Sequence, residues 1–268
     1  MRTASLPMYN FEGAPGASAA LWQGIAGHLR RAGIDDVPDS LLDRPAIPDH
    51  WFSDDLLFSQ TCGYPLTHVL SGRVQLLATP CYDALGCEGP TYCSFVIVAK
   101  DSPAAGIGDL RGKRVAFNTP DSQSGMNALR ALVAPLAEKG RFFSEIIESG
   151  SHSASVTAVG TGKADVAAID CVSLALFRRY GHPAIDRVRI LCPTQAAPGL
   201  PFITARATSP EKLQQLRDGL RAAIADPALA EARAALLLKD VAMLPISRYQ
   251  PLLDMEQVAA KLGYPRLA

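Results

Sequence analysis

The stretch NTPDSQSGMNALR, residues 118–130, places many hydroxyl and amide side chains and one glycine ahead of an apolar stripe. The apolar residues after Met126 keep helical spacing, which predicts a helix that begins near residue 124. Asp121 or Ser122 can cap this helix, and the first backbone N–H groups of any helix lack partners inside it. An ordinary capped helix needs only one such residue. The density of donors therefore favours a helix start that binds an anion, with a plain cap as the alternative.

A second polar helix start follows in SGSH, residues 149–152. His152 falls in the first turn of a helix predicted over 152–161, directly after a predicted strand at 144–149. A single histidine at a helix start is often structural, but the first polar helix start beside it favours a binding role. The later run GTGKAD (160–165) does not fit the phosphate-loop pattern GxxxxGK[ST], so its glycines are interpreted as a helix stop.

The order of elements predicts an α/β fold, because short β-like runs alternate with helical patterns. The last 60 residues read mostly as helix. Two connections rich in Pro and Gly, 78–92 and 192–202, divide the chain into two lobes. We predict one lobe from 1–80 plus 198–268 and a second from 81–197. Each is expected to be a mostly parallel sheet flanked by helices, with the two connections as hinge crossings.

Polar and aromatic residues stand at the carboxyl ends of several predicted strands. In open α/β sheets the ligand binds outside these strand ends, so the residues together suggest one crevice, although each could separately be a turn residue. The members are Tyr9, Gln60, Thr61, Tyr64 and Asp170.

The composition limits the partners. Lys+Arg and Asp+Glu are both 26, so the net charge is zero and no global field attracts nucleic acid. The sequence contains no apolar run of 18 residues, so no membrane-spanning helix is predicted. The first ten residues, MRTASLPMYN, lack the apolar stretch of an export signal. Six cysteines leave three readings open: reduced thiols, a disulfide between two of Cys62, Cys81 and Cys87, or a metal site. Cys171 and Cys192 are expected to be reduced.

With these motifs the chain resembles the phosphate/phosphonate-type solute-binding proteins of ABC transporters, which have the two-lobed type II periplasmic-binding fold. The motifs that carry the resemblance are SQSG (122–125), SGSH, ADVAAID (164–170), and GPTYCSFVIVAKDSP (89–103) followed by DLRGKRVAFN (109–118). The resemblance implies that the Ser-rich helix start cradles a phosphorus oxyanion, with His152 in the same shell. The resemblance also implies an aromatic side chain in contact with the ligand, and an acidic side chain that binds the part of the ligand beyond the oxyanion. The residues assigned to the ligand on this basis are Tyr92, Ser122, Gln123, Ser124, Gly125, Met126, Asn127, His152 and Asp170.

The predicted function is therefore capture of a small oxyanion, phosphonate, phosphate or phosphite, between two lobes for ABC-type uptake. No catalysis, cofactor or metal is expected. The expected partners are the ligand and an ABC permease, and the protein is expected to be a monomer. Location is periplasmic by resemblance, or cytoplasmic if the sequence is complete. A cytosolic oxyanion sensor is one alternative, and an enzyme that uses Cys62 or His152 is another.

Overall fold

The structure, a computed structural model, describes residues 2–9, 13–14, 16–43 and 45–268. The α-helices within these residues are α1 (Ala17–Arg31), α2 (Gly63–Thr67), α3 (Ala128–Val133), α4 (His152–Gly160), α5 (Cys171–Arg179), α6 (Pro210–Ala225), α7 (Ala230–Ala235) and α8 (Gln250–Lys261). The strands are β1 (Thr3–Ala4), β2 (Leu56–Gln60), β3 (Val74–Tyr82), β4 (Thr91–Tyr92), β5 (Ser94–Ala99), β6 (Arg114–Phe117), β7 (Glu145–Glu148), β8 (Val166–Asp170), β9 (Val188–Pro193), β10 (Ala197–Pro198), β11 (Phe202–Ala205) and β12 (Leu238–Ala242).

The chain forms two compact units. The first is built from 1–83, 88–90 and 198–248, and the second from 84–87, 91–197 and 249–268. The sequence assigned 249–268 to the first lobe, but this segment packs with the second unit instead. Buried polar groups explain the difference, because Asn127 donates to the Leu252 carbonyl (3.0 Å) and Arg130 donates to the Pro265 carbonyl (2.7 Å).

The sheet of the first unit has the order β1-β2-β11-β3-β12. Only β1 and β2 pair in parallel, and the other three pairs are antiparallel. Helix α1 lies on this unit and buries an apolar stripe at helical spacing that includes Leu21, Trp22, Ile25 and Leu29. The Trp22 ring contacts the ring of Phe58 in β2 at a tilt, with ring centroids 5.6 Å apart.

The sheet of the second unit has the order β7-β6-β8-β5-β9. Strands β7, β6 and β8 are parallel, whereas β5 runs antiparallel to both β8 and β9. Strand β9 therefore runs in the same direction as β8, and β5 alone runs against the other four strands of this sheet. The predicted α/β class is confirmed. Four of the five strands of the second sheet run in one direction, as predicted, whereas the first sheet is mixed. The five residues of β8 are all buried.

Two features of the predicted organisation differ in detail. Strand β12 lies in the region predicted to be mostly helical. It pairs with β3 and forms one edge of the first sheet. The strand was not predicted because its two exposed residues, Lys239 and Asp240, are consecutive and break the alternation of apolar and polar residues that indicates a strand. All six cysteines are free thiols, so the disulfide considered for Cys62, Cys81 and Cys87 is not formed. In the part of the chain that the structure describes, no helix combines the length and hydropathy needed to cross a bilayer.

Candidate functional site

The carboxyl edge of the parallel strands in the second unit gathers the predicted polar residues. Asn118 follows β6, His152 follows the short loop after β7, and Asp170 ends β8. Because β6 pairs in parallel with both β7 and β8, these three positions lie at the same edge of the sheet. Ser94 begins β5 directly opposite Asp170 in the antiparallel register, and it therefore belongs to the same edge. The sequence predicted this convergence for His152 and Asp170, but did not include Asn118 or Ser94.

The predicted helix start after β6 is a π-helical turn at Gln123–Asn127. Its wide ring is closed by the Asn127 N–H, which donates to the carbonyl of Ser122, five residues earlier, at 3.0 Å. The Ser122 hydroxyl caps the turn by accepting from the Gly125 N–H at 3.0 Å. Turns of this kind are rare and occur frequently at functional sites. The position of the predicted polar helix start is therefore correct, and its local geometry is wider than an ordinary α-helical cap.

Ser124 and His152 form the central pair of the site. Ser124 Oγ lies 2.8 Å from His152 Nε2, and the Ser124 carbonyl accepts a hydrogen bond from Ser94 Oγ at 2.9 Å. His152 is held at the start of α4, where the Ser151 hydroxyl caps the helix by accepting from the Ala154 N–H at 3.1 Å. Both members of the pair are therefore fixed by their own helix starts and by β5.

The protonation of His152 follows from its surroundings. Burial lowers the pKa of His152 to about 4, so its ring is neutral at pH 7. A neutral imidazole carries one N–H donor and one acceptor nitrogen. Nε2 faces Ser124, whereas Nδ1 is buried and has no hydrogen-bond partner among the described residues. One hydrogen is used within the pair, so the pair offers a ligand one uncharged donor, which is either the Nδ1–H group or the Ser124 hydroxyl.

Gly125 is required by the close approach of Asn118. A Cβ atom at Gly125 would lie 1.9 Å from Asn118 Oδ1 and 3.3 Å from His152 Cε1. Asn118 Oδ1 is itself buried without a hydrogen-bond partner among the described residues. Unpaired buried polar atoms are costly, and two of them around one glycine mark a place where a polar ligand would be stabilised. The only sequence signal for Asn118 was its position directly after a strand.

The side chains of Gln123 and Asn127 are directed into the second unit itself. Gln123 Oε1 accepts from Asn127 Nδ2 at 2.6 Å, and Gln123 Nε2 donates to Met255 Sδ at 3.3 Å. Asn127 Nδ2 also donates to the Leu252 carbonyl, and Asn127 Oδ1 accepts from Arg130 at 2.5 Å. Both amides therefore connect the π-helical turn to the C-terminal segment, a use that differs from the predicted ligand contact.

Asp170 acts as the cap of α5. Its Oδ1 accepts from the N–H groups of Val172 (2.7 Å) and Ser173 (2.9 Å), and the residue is 1% exposed. This is the capping role that an acidic residue after a buried strand commonly plays. The predicted contact between Asp170 and a ligand stays a prediction. Tyr92 and Met126, also assigned to the ligand from the sequence, are buried in the same unit.

The candidates in the first unit are grouped around Tyr82, which the sequence analysis did not select. Gln60 Nε2 donates to Tyr82 Oη at 2.9 Å, and the Tyr9 ring meets the Tyr82 ring edge-on with centroids 5.0 Å apart. All three line a cavity of about 20 Å³, which is room for about one water molecule. Thr61 is buried beside Gln60, and its N–H donates to the Pro201 carbonyl at 3.0 Å. Tyr64 is half-buried and stacks on His68 at 3.8 Å.

The described residues do not meet the requirements of a metal site. Among those residues, no group of three or more His, Cys, Asp or Glu side chains is placed to hold a metal ion.

Comparison with solved structures identifies relatives of the fold. A Xanthomonas citri protein bound to ATP is 17% identical, with 97% of each chain covered and a TM-score of 0.71. The binding-protein component of an ABC phosphonate transporter from Pseudomonas aeruginosa is 16% identical, with 97% of this chain and 87% of that chain covered and a TM-score of 0.77. PhnD1 of Prochlorococcus marinus, solved with methylphosphonate, is 13% identical, with 97% and 98% covered and a TM-score of 0.76. These similarities establish a shared two-lobed fold. No curated protein matches the chain.

The family model described as "ABC transporter, phosphonate, periplasmic substrate-binding protein" matches residues 54–254, about three quarters of the chain. The matched range includes the π-helical turn, Ser124, His152 and Asp170. The chain therefore belongs to the phosphonate-type substrate-binding proteins of ABC transporters, and its role is that of a solute-binding protein.

Proposed function

We propose that the second unit binds a phosphorus oxyanion at the π-helical turn, with Ser124 and His152 as its central contacts. The observation that carries the proposal is the 2.8 Å Ser124–His152 pair beside two buried polar atoms without partners, His152 Nδ1 and Asn118 Oδ1. A small ligand with several oxygens is suited to satisfy such a set. Membership of the phosphonate-type family supports a phosphorus oxyanion, and methylphosphonate, with which the Prochlorococcus relative was solved, is the first candidate.

The chemistry of the site favours a ligand that both accepts and donates hydrogen bonds. The pair of Ser124 and neutral His152 supplies one donor, whereas Asn118 Oδ1 and the Asp170 carboxylate at the same sheet edge supply acceptors. A phosphonate, phosphate or phosphite that keeps one P–OH group can serve both kinds of partner. Sulfate has no proton to donate near neutral pH, so it would leave an acceptor unpaired or place its charge against the carboxylate.

Isothermal titration calorimetry with methylphosphonate, phosphite, phosphate and sulfate tests the proposal. ATP belongs in the same panel, because the Xanthomonas relative was solved with it. We expect at least one phosphorus oxyanion to bind much more tightly than sulfate, and Ser124→Ala to weaken that binding. Binding of sulfate with equal affinity, or unchanged affinity in Ser124→Ala, would contradict the proposed site. A preference for ATP would place the ligand among phosphate esters instead.

The proposal also covers the cellular location of the protein, its oligomeric state, its partner and the fate of the ligand. The chain acts in the periplasm as a monomer that delivers its ligand to an ABC permease, and it leaves the ligand chemically unchanged. We propose Tyr92 and Asp170 of the second unit as further ligand contacts. The ligand contacts predicted from sequence in the first unit stay predictions, and they are Tyr9, Gln60, Thr61 and Tyr64. Phosphorus NMR of the ligand after prolonged incubation with the protein tests the absence of turnover, since a new phosphorus signal would favour the enzyme alternative. Fractionation of the native host cell tests the location.

A further inference from the structure

Three of the six cysteines form a cluster in the second unit that the anion site does not use. Cys87 Sγ lies 3.5 Å from Cys171 Sγ. The thiol of Cys93 is hydrogen-bonded to that of Cys171, and the Cys171 N–H donates to the Cys93 carbonyl at 3.1 Å. Cys93 directly precedes β5 and Cys171 begins α5, so both lie next to the Ser94–Asp170 pair that ends the ladder of β5 and β8. The sequence analysis expected Cys171 to be reduced and did not group it with Cys87 or Cys93, so this cluster is a result of the tertiary fold.

Gly86 allows the chain to lie against these sulfur atoms. Its φ is +93°, and a Cβ atom there would lie 2.8 Å from Cys93 Sγ and 3.1 Å from Cys171 Cβ. Only glycine fits this conformation and this approach without displacement. The next residue, Cys87, is thereby held over Cys171. Two sulfurs at 3.5 Å need a shift of about 1.5 Å to reach the disulfide length of about 2.05 Å, which side-chain rotation can supply.

We propose that Cys87 and Cys171 form a reversible disulfide, with Cys93 as the neighbouring third thiol. The oxidant is a small-molecule or protein disulfide. The Cys87 thiolate attacks one sulfur of the oxidant, breaks its S–S bond and releases one thiol, which leaves a mixed disulfide on Cys87. Cys171 then loses its proton and attacks Cys87 Sγ, which releases the second thiol. Two protein thiols are oxidised, and one external disulfide is reduced to two thiols.

The order of attack follows from exposure. Cys87 is half-buried and reachable from solvent, whereas Cys93 and Cys171 are buried. The hydrogen bond with Cys171, together with burial, raises the pKa of the Cys93 thiol, and the hydrogen bond with Cys87 raises that of Cys171. Both buried thiols are therefore protonated at neutral pH, so the first attack falls to the reachable thiol of Cys87. The family model describes periplasmic proteins, and an oxidising compartment of that kind supplies disulfide oxidants.

The inference is independent of the anion proposal, although the two sites are adjacent. Cys171 directly follows the cap Asp170, and Cys93 directly precedes Ser94, which holds the Ser124 carbonyl. A bond between Cys87 and Cys171 would fix the short segment 84–87 to the start of α5. It closes a loop across 84 residues, and such long loops gain the most from a cross-link.

Peptide mapping of the wild-type chain tests the pairing directly. The purified protein is equilibrated in glutathione buffers from fully reduced to fully oxidised, alkylated without reductant, digested and analysed by mass spectrometry. We expect a peptide cross-linked through Cys87 and Cys171 in oxidised buffer, four alkylated cysteines, and recovery of all six after dithiothreitol. The thermal midpoint should rise by about 5 °C or more on oxidation.

Variants separate this pair from the other thiols. Cys87→Ser, at a half-buried position, should abolish the cross-link and the rise in midpoint, whereas Cys192→Ser, at another half-buried position of the second unit, should leave both unchanged as the matched control. Cys93→Ser should retain the Cys87–Cys171 link. Six alkylated thiols in fully oxidised buffer would overturn the proposal, and so would a cross-link that omits either Cys87 or Cys171. The wild-type map decides the question even where a variant folds poorly.

Discussion

Ser124 Oγ lies 2.8 Å from His152 Nε2, so two helix starts that are 28 residues apart in sequence meet at one edge of the second sheet. Neither residue carries a charge at pH 7, because burial lowers the pKa of His152 to about 4. A ligand bound at this pair would therefore be recognised through a directed neutral donor rather than through a cationic side chain. Recognition of this kind depends on geometry, since each donor must reach one oxygen of the ligand.

Substitution of Ser124 by alanine should weaken oxyanion binding by about 10- to 150-fold, or about 1.5–3 kcal/mol, the range for a hydrogen bond to a charged group. Calorimetric titration with the best ligand of the panel measures the change. Ser209→Ala is the matched control, because Ser209 caps α6 in the other unit by accepting from the Lys212 N–H at 3.2 Å. The control should lose about 1 kcal/mol of stability and keep its affinity. Equal affinities in wild type and Ser124→Ala would remove the hydroxyl from the site.

Gly125→Ala should abolish binding and also destabilise the chain. The added methyl would lie 1.9 Å from Asn118 Oδ1, so Asn118 or the turn must move away from the anion position. The control is Gly108→Ala, where a Cβ meets no atom within 4 Å and the backbone suits alanine. Titration and thermal unfolding of both variants give the comparison. A Gly125→Ala protein with wild-type affinity would show that Asn118 has no part in binding.

Much of the second unit could be predicted from sequence because its signals are local. The buried strand VAAID and the polar residues after each parallel strand indicate both the sheet and its ligand-binding edge. The π-helical turn could not be predicted in this way, because Gln123 and Asn127 owe their orientation to Met255 and Leu252, more than 100 residues later. An amide-rich helix start looks the same in sequence whether its side chains face a ligand or the protein interior.

Asn118 and Tyr82 illustrate a second limit of prediction from sequence. Asn118 matters because its Oδ1 is buried against Gly125 and has no hydrogen-bond partner among the described residues, which only coordinates reveal. Tyr82 ends β3 and accepts from Gln60, a cross-strand relationship set by the pairing of β11 with both β2 and β3. The cysteine cluster is of the same kind, since Cys87 and Cys171 meet only through the tertiary fold.

Asp170 allows its capping role and its proposed ligand role to be separated. Asp170→Asn keeps an oxygen for the N–H groups of Val172 and Ser173, so stability should change by less than about 0.5 kcal/mol, whereas Asp170→Ala should lose about 1 kcal/mol. If the carboxylate also faces the ligand, the Asn variant should gain affinity for sulfate relative to ligands with a P–OH group. Urea unfolding and the ligand panel measure the two effects. An unchanged ranking of ligands would leave Asp170 as a cap alone.

Arg130 should stabilise the π-helical turn by joining it to the C-terminal segment. Its side chain is 4% exposed and reaches Asn127 Oδ1, the Pro265 carbonyl and Glu256 Oε1 (3.3 Å). Arg130→Met would leave these acceptors without their donor, and we expect a loss of about 2–4 kcal/mol in urea unfolding. Arg221→Met is the control, because its pair with Asp218 is exposed on both sides and should contribute under about 0.5 kcal/mol. Similar losses in the two variants would contradict a buried network.

The pH dependence of stability should report on His152. Its pKa is about 4 in the folded chain, below the unfolded value of 6.5, so the unfolded state binds the proton first as the pH falls. Stability from this residue is therefore full above pH 6.5 and declines by up to about 3 kcal/mol as the pH falls to about 4. Urea unfolding of wild type and His152→Gln at about pH 7 and pH 4.5 isolates the effect, because every other histidine and carboxylate is shared.

The wild type should lose more stability on acidification than the Gln variant, and parallel losses would mean that the ring is solvated enough to titrate normally. A ligand extends the test. A bound anion next to the ring favours the imidazolium form and raises its pKa. Saturating methylphosphonate should therefore reduce the difference between the two proteins at about pH 4.5. If the ligand binds but the difference stays the same, the anion lies away from His152, and the pairing of Ser124 with His152 serves structure rather than recognition.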